Sequence, residues 1–242
     1  MSESNARMIR VRDRWTIRLH WFNAACWLLL VASGLGIISG DSLRLAPAVW
    51  PTLLQGLFGG NANLVLFHAA IGIVWAAGIA LFALLRWHTV VLPFLRSVLV
   101  LTPAAALRDA WAMTLTLAHL FGLMKNRPVP PQGRYNGAQR LLGTLIIAAS
   151  LAIALSGGYL FLGPGLFDFA ADATFGALFR WALLLHAAAV FLVLIGLVAH
   201  IYFAVVEERE SLESMKSGYA SVEFIKHHNP LWYKELKREG KV

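Results

Sequence analysis

Residues Trp181–Val206 read WALLLHAAAVFLVLIGLVAHIYFAVV, 26 residues without an Asp, Glu, Lys or Arg but with two histidines. A helix needs about 20 predominantly apolar residues to cross a bilayer, so this run is long enough to span. Three further charge-free runs, Leu19–Gly40, Leu64–Leu85 and Leu141–Leu162, hold 22 residues each. Lipid offers no partner to a bare amide or carbonyl, so each run is expected to be a helix. The predicted fold is an all-α membrane protein built as a four-transmembrane-helix bundle. Composition agrees. The 242 residues are 58% hydrophobic and 14% charged, against roughly 25% charged in an ordinary soluble domain. Mean hydropathy is +0.64, which excludes a soluble globular enzyme.

The net charge of +8 invites a nucleic-acid reading, but its distribution explains it otherwise. Lys and Arg number 5 in residues 1–18, 7 in 86–140 and 7 in 207–242, with only Arg44 and Arg180 elsewhere. The three rich segments fall on one side of a four-span chain. The positive-inside rule puts that side, with both termini, in the cytoplasm. Membrane topology accounts for the basic surface, and no nucleic-acid partner is expected. The division is a basic cytoplasmic lead over 1–18, a membrane domain over 19–206 and a cytoplasmic tail over 207–242. Arg7 to Arg18 before an apolar run resemble the start of a signal peptide. The run is longer than a typical signal core and carries His20, Trp21, Asn23 and Trp27, so an uncleaved first span is expected.

The inner connection 86–140 is itself apolar, yet Pro93, Arg96 and Pro103 interrupt it. A charge at the bilayer centre costs roughly 2.5–3.5 kcal/mol on insertion scales. An interfacial amphipathic helix pair is therefore expected there rather than two more spans. The single cysteine, Cys26, excludes an internal disulfide, a four-thiolate cluster and a C-x-x-C-H haem attachment. It reads as a small core residue.

Four of the eight histidines, His20, His68, His186 and His200, lie within the spans. An ionisable group inside a membrane points to function by default, although a single one can simply be bonded to a neighbouring helix. His186 and His200 are 14 residues apart, about 21 Å of rise and a net turn of about −40° along one helix. Both thus face one side of the bundle at two depths. His20 and His200 fall near the inner face, His68 and His186 near the outer. Two bis-histidine pairs stacked across four helices fit two b-type haems, because imidazole is a suitable axial ligand for iron. The 21 Å spread disfavours a compact metal site; a proton-relay transporter and a purely structural anchor are the other classes. Small residues beside the ligands, Ala69, Ala70 and Ala187–Ala189, leave room for a flat porphyrin or for close helix packing. Gly34, 14 residues beyond His20, is expected to face the outer haem. His88, His119, His227 and His228 read as surface or interfacial residues.

With these residues in view the chain resembles the gamma subunit of membrane-bound formate dehydrogenase, a diheme cytochrome b. The likeness rests on RLHW around His20, FHAAIG around His68, GRYNGAQR at Gly133–Arg140, LLHAAA at His186 and HIYFA at His200. KHHNPLWYKEL, within the tail run Ser211 to Leu236, adds to it. The histidine spacing is shared with hydrogenase and thiosulfate or polysulfide reductase cytochromes, which form the alternative reading. The chain departs from the family at Gly137-Ala138, usually Ala then Gly, and at Asn229, which interrupts a His-His-Pro run.

The resemblance implies His68 and His186 on the outer haem and His20 and His200 on the inner one. It implies an iron–sulfur partner subunit and a molybdenum- or tungsten-containing catalytic subunit, facing outward from the bacterial inner membrane. Electrons would pass through both haems to menaquinone or ubiquinone near the cytoplasmic face. The quinone is expected at Asn136, Gly137, Ala138 and Gln139, where a basic connection enters an apolar helix. Asn136 and Gln139 also have the spacing of a helix capping box. Haem propionates are expected to meet Arg14 and Arg18 inside and Arg44 and Arg180 outside, since unpaired charge is costly near lipid.

Overall fold

The computed structural model describes residues 7–41, 44–167 and 173–242. Four helical segments are long and apolar enough to cross a membrane: Arg14–Ile37, Asn61–Val98, Gly137–Leu166 and Ala173–Glu207. They contain the helices α1 (Arg14–Ile37), α3 (Asn61–Arg86), α6 (Gly137–Leu166) and α7 (Ala173–Tyr202). The chain is an all-α membrane protein. Leu28, Leu84, Leu155 and Ile195 are each more than 60% exposed, a surface suited to lipid rather than water.

The spans begin and end differently from the charge-free runs. Helix α1 starts at Arg14 because Asp13 caps it: Oδ1 accepts from the amides of Trp15 and Thr16 at 2.9 and 3.2 Å. That satisfies two of the amides a helix start leaves unpaired. Helix α3 does not stop at Arg86. It runs through a π-helical turn, Trp87–Val91, into α4 (Leu92–Val98). Pro93, which has no N–H to give to the helix ladder, falls just after that π-helical turn. Thr102 then caps α5 (Pro103–Leu120), accepting from the Ala105 amide. Two helices thus lie between α3 and α6, and the first is continuous with the second span.

The chain divides into two compact units. One comprises Arg18–Trp87 and Ala152–Ala187. Its interior holds Cys26, Trp27, Ser33, Leu64, Trp75, Ile153 and Ser156. Trp27 and Trp75 meet edge to face with centroids 5.8 Å apart, and the Trp75 indole N–H donates to Asn23 Oδ1 at 2.7 Å. Short helix α2 (Val49–Phe58) lies against the end of α1. Its Gln55 side chain donates to the Gly36 carbonyl at 3.0 Å, one of those a helix C-terminus leaves unpaired.

The other unit comprises Met1–Ile17, His88–Leu151 and Ala188–Val242. Here the tail folds into α8 (Arg209–Ser217), α9 (Val222–His228) and α10 (Pro230–Arg238) around Ala220, Ile225 and Leu236. A small antiparallel pairing ties in the lead: β1 (Met8–Arg10) runs against β2 (Tyr219–Ser221), with Ile9 opposite Ala220. Gly218, at φ +88°, closes α8; a Cβ there would stand 2.9 Å from the Arg12 carbonyl oxygen. Only glycine meets both demands. Asn229 donates to the Gly133 carbonyl at 2.7 Å, so the residue that interrupts His-His-Pro ties the tail to the approach to α6.

Candidate functional site

Two of the four intramembrane histidines meet within one unit. His68 on α3 and His186 on α7 are half-buried, with ring centroids 6.4 Å apart and planes at 70°. Taking about 2.0–2.1 Å for a metal–imidazole bond and roughly 1.1 Å from ring nitrogen to ring centre, opposed ligands of one metal stand about 6.3 Å apart. The observed separation matches that requirement. Each ring has a serine at Nδ1: Ser33 Oγ lies 2.9 Å from His68, and Ser156 Oγ lies 3.1 Å from His186. Each serine is followed by a glycine that clears space beside the ring. A Cβ on Gly34 would stand 3.3 Å from His68 Cε1, and one on Gly157 3.1 Å from His186 Cε1. Gly34 therefore faces the ring of His68, one of the two ligands the sequence assigns to the haem that Gly34 is expected to face. Ser33, Ser156 and Gly157 went unmarked in the sequence, where a small residue in a span reads only as packing. The recurring Ser-Gly dipeptide, one on α1 and one on α6, is the signal that marks them.

His20, half-buried on α1, meets Trp21 edge-on at 5.4 Å. His200 lies near the end of α7 in the other unit, to which Arg12 also belongs. Arg12 donates to Ser214 Oγ at 3.4 Å; the sequence pointed to Arg14 and Arg18, both exposed. Arg44 pairs with Asp41 at 2.7 Å, and Arg180 is an exposed side chain six residues before His186. Among the described residues no group of three or more His, Cys, Asp or Glu could hold a metal ion. Cys26 is buried and unpaired, the core role its composition suggests.

At the start of α6 the capping box forms. The Gln139 amide donates to Asn136 Oδ1 at 2.8 Å, and the Asn136 amide donates to Gln139 Oε1 at 3.1 Å. The box engages the side-chain oxygens and leaves the NH2 groups as donors. Both residues line a small pocket with Arg12, Arg134, Tyr135 and His228. Gly137 is buried, and a Cβ there would come within 2.5 Å of the Asp109 carbonyl oxygen; Gly137 lets α5 and α6 touch. Ala138 beside it is half-buried. The same contact exposes a pair that the sequence reading passed over. Asp109, the one acid of residues 86–140 and 4% exposed, accepts from Arg140 at 2.6 Å. Arg140 also donates to the carbonyls of Ser97 and Leu99, so one guanidinium joins α4, α5 and α6.

The profile of the prokaryotic cytochrome b561 family matches residues 11–218. The chain belongs to this family. The match takes in all four spans and all four intramembrane histidines. A cytochrome b binds b-type haem, and paired imidazoles are suitable ligands for it. Among curated relatives, the formate dehydrogenase cytochrome b556(fdo) subunit of Escherichia coli (strain K12) is 25% identical over 223 residues, 90% of this chain and 89% of the relative. The formate dehydrogenase cytochrome b556 subunit of Haemophilus influenzae is 28% identical over 107 residues, 44% of this chain and 42% of its own length. The b561-family chain thus shares nearly its full length with a cytochrome subunit of an oxidoreductase complex.

Proposed function

We propose that this cytochrome is the haem-bearing membrane subunit of a formate dehydrogenase-like respiratory complex in the bacterial inner membrane. It receives electrons from an iron–sulfur subunit on the outer face, itself served by a molybdenum- or tungsten-containing catalytic subunit, and delivers them to menaquinone or ubiquinone near the cytoplasmic face. The observation that carries this reading is the His68–His186 pair, 6.4 Å apart and flanked by glycines that leave room beside each ring. His68 and His186 hold the outer of two haems; His20 and His200 hold the inner, as the family resemblance implies. Bound haem iron supplies reversible one-electron chemistry. The protein contributes ligands, an apolar surround and counter-charges for the propionates, with Arg44 and Arg180 outside and Arg14 and Arg18 inside.

At the quinone site, Asn136 and Gln139 offer their amide NH2 groups to a quinone carbonyl, an acceptor that needs donors. Gly137 and Ala138 keep the wall between them low. Reduction there draws protons from the cytoplasmic side, separating charge across the membrane. The test is a dithionite-reduced minus oxidised visible spectrum and haem quantification on the purified complex, with mass spectrometry of the co-purifying subunits. Two b haems per chain and a formate-oxidising partner are expected. No haem bands would overturn the cytochrome assignment to these histidines. A hydrogenase or sulfur-compound reductase partner would overturn the formate assignment alone.

A further inference from the structure

Each ring of the outer histidine pair is met by the same device from the neighbouring helix. Ser33 Oγ lies 2.7 Å from the Leu29 carbonyl oxygen four residues back and 2.9 Å from His68 Nδ1. Ser156 Oγ lies 2.6 Å from the Ala152 carbonyl oxygen and 3.1 Å from His186 Nδ1. A hydroxyl has one proton and two lone pairs, and a carbonyl can only accept. The serine proton is therefore committed to its own helix, in the back-bond that serine makes within spans. The contact with histidine is then made only if Nδ1 carries a proton and donates it. Each serine also has a second backbone carbonyl within reach, Leu30 for Ser33 and Ile153 for Ser156, both at 3.3 Å, and these too accept only. Both serines are buried, 3% and 4% exposed, so water does not compete for the contact.

The geometry points to Ser33 and Ser156 as positioning residues that fix His68 and His186 as Nδ1–H tautomers, leaving both Nε2 lone pairs for the outer haem iron. This rests on the bis-histidine reading above and adds to it how each ligand is oriented and tuned. An acceptor on Nδ1–H raises the basicity of the ligating nitrogen. A more basic ligand favours ferric iron, so the serines lower the potential of the outer haem. The hairpin α1–α3 and the pair α6–α7 each supply one ligand, one serine and one clearing glycine.

The experiment uses the intact complex purified from membranes with Ser33→Ala, Ser156→Ala, the double variant and Ser33→Thr and Ser156→Thr. Redox titrations followed in the visible region, low-spin EPR and haem content are measured. The Ala variants are expected to raise the potential of one haem and shift its EPR signal, more in the double variant, with the other haem unmoved. The Thr variants, which keep the hydroxyl, are expected to retain the wild-type potential. Loss of that haem from the Ala but not the Thr variants supports the same role. Equal behaviour of Ala and Thr variants, whether unchanged or equally damaged, overturns it. His68→Ala and His186→Ala are run alongside. If they fail to remove the same haem, the bis-histidine reading itself falls; if they do remove it while Ser33→Ala/Ser156→Ala keeps wild-type potential and EPR, only the serine role falls.

Discussion

Gly157 on α6 faces the edge of His186 on α7: a Cβ added at Gly157 would stand 3.1 Å from Cε1 and 3.4 Å from Nδ1 of that ring. That is closer than a side chain ordinarily approaches, and the imidazole is already tied to Ser156. Gly157→Ala is expected to weaken retention of one haem, and Gly157→Val to abolish it while the other remains. Haem quantification per chain reads this out directly; full occupancy in Gly157→Val would show that His186 does not need the space.

The four histidines are expected to fall into two pairs when replaced singly by Ala. His68→Ala and His186→Ala should lose one and the same haem, His20→Ala and His200→Ala the other. The first pairing rests on the 6.4 Å ring separation, the second on the histidine spacing in the sequence. Potentiometric titration of the four variants distinguishes the components, and shared loss between His20→Ala and His186→Ala would contradict the pairing.

The readable and unreadable parts of this molecule separate by the range of the interaction. Spans follow from charge-free runs because lipid penalises charge at every position along them. Their ends do not, because Asp13 and Asn136 cap helices that begin before the last basic residue. Asn136-x-x-Gln139 is legible as a capping box since both partners lie on one short stretch. The β1–β2 pairing joins residues about two hundred positions apart over three residues each, too short for a periodicity. Gly34 could be placed because it shares a helix with His20 at a helical repeat. Gly157 could not, because no ligand lies on α6. The Ser-Gly pairs precede their histidines by different intervals, Ser33 to His68 and Ser156 to His186, so no fixed repeat period reveals them.

Arg44 and Arg180 are the only bases of the connections 41–63 and 163–180, and both belong to the unit holding the His68–His186 pair. As counter-charges to haem carboxylates they should hold the outer haem's potential up, since cations favour the form with one more electron. Arg44 already pairs with Asp41, so Arg180→Gln is expected to have the larger effect. The double Arg44→Gln/Arg180→Gln variant should lower one midpoint potential in a redox titration. An unchanged potential would assign these arginines to headgroup anchoring.

Asp109 is buried beneath Arg140, and removing one member of such a pair leaves the other charge unmatched. Asp109→Ala is expected to destabilise the complex by about 3–5 kcal/mol, read as a lower midpoint in detergent thermal unfolding. Gly137→Ala should act on the same contact by forcing α5 and α6 apart, costing about 1–3 kcal/mol. A wild-type midpoint for both variants would show that this junction yields freely.

Asn136 and Gln139 carry two duties in this reading, and substitution separates them. Losing an N-cap side chain costs about 0.5–2 kcal/mol, so Asn136→Ala should lower stability modestly whether or not quinone binds there. Asn136→Asp keeps the capping oxygen but removes the NH2 donor. It is therefore expected to retain the stability of the helix start while losing quinone turnover and sensitivity to a quinone-analogue inhibitor. Gln139→Glu makes the same exchange at the other side of the box, where the carboxylate oxygen still accepts from the Asn136 amide. Both haems should remain reducible by the electron donor in each variant, because no histidine ligand is touched. Wild-type quinone turnover in the Asn136→Asp/Gln139→Glu pair would leave the two residues as a helix cap and move the quinone elsewhere in the protein.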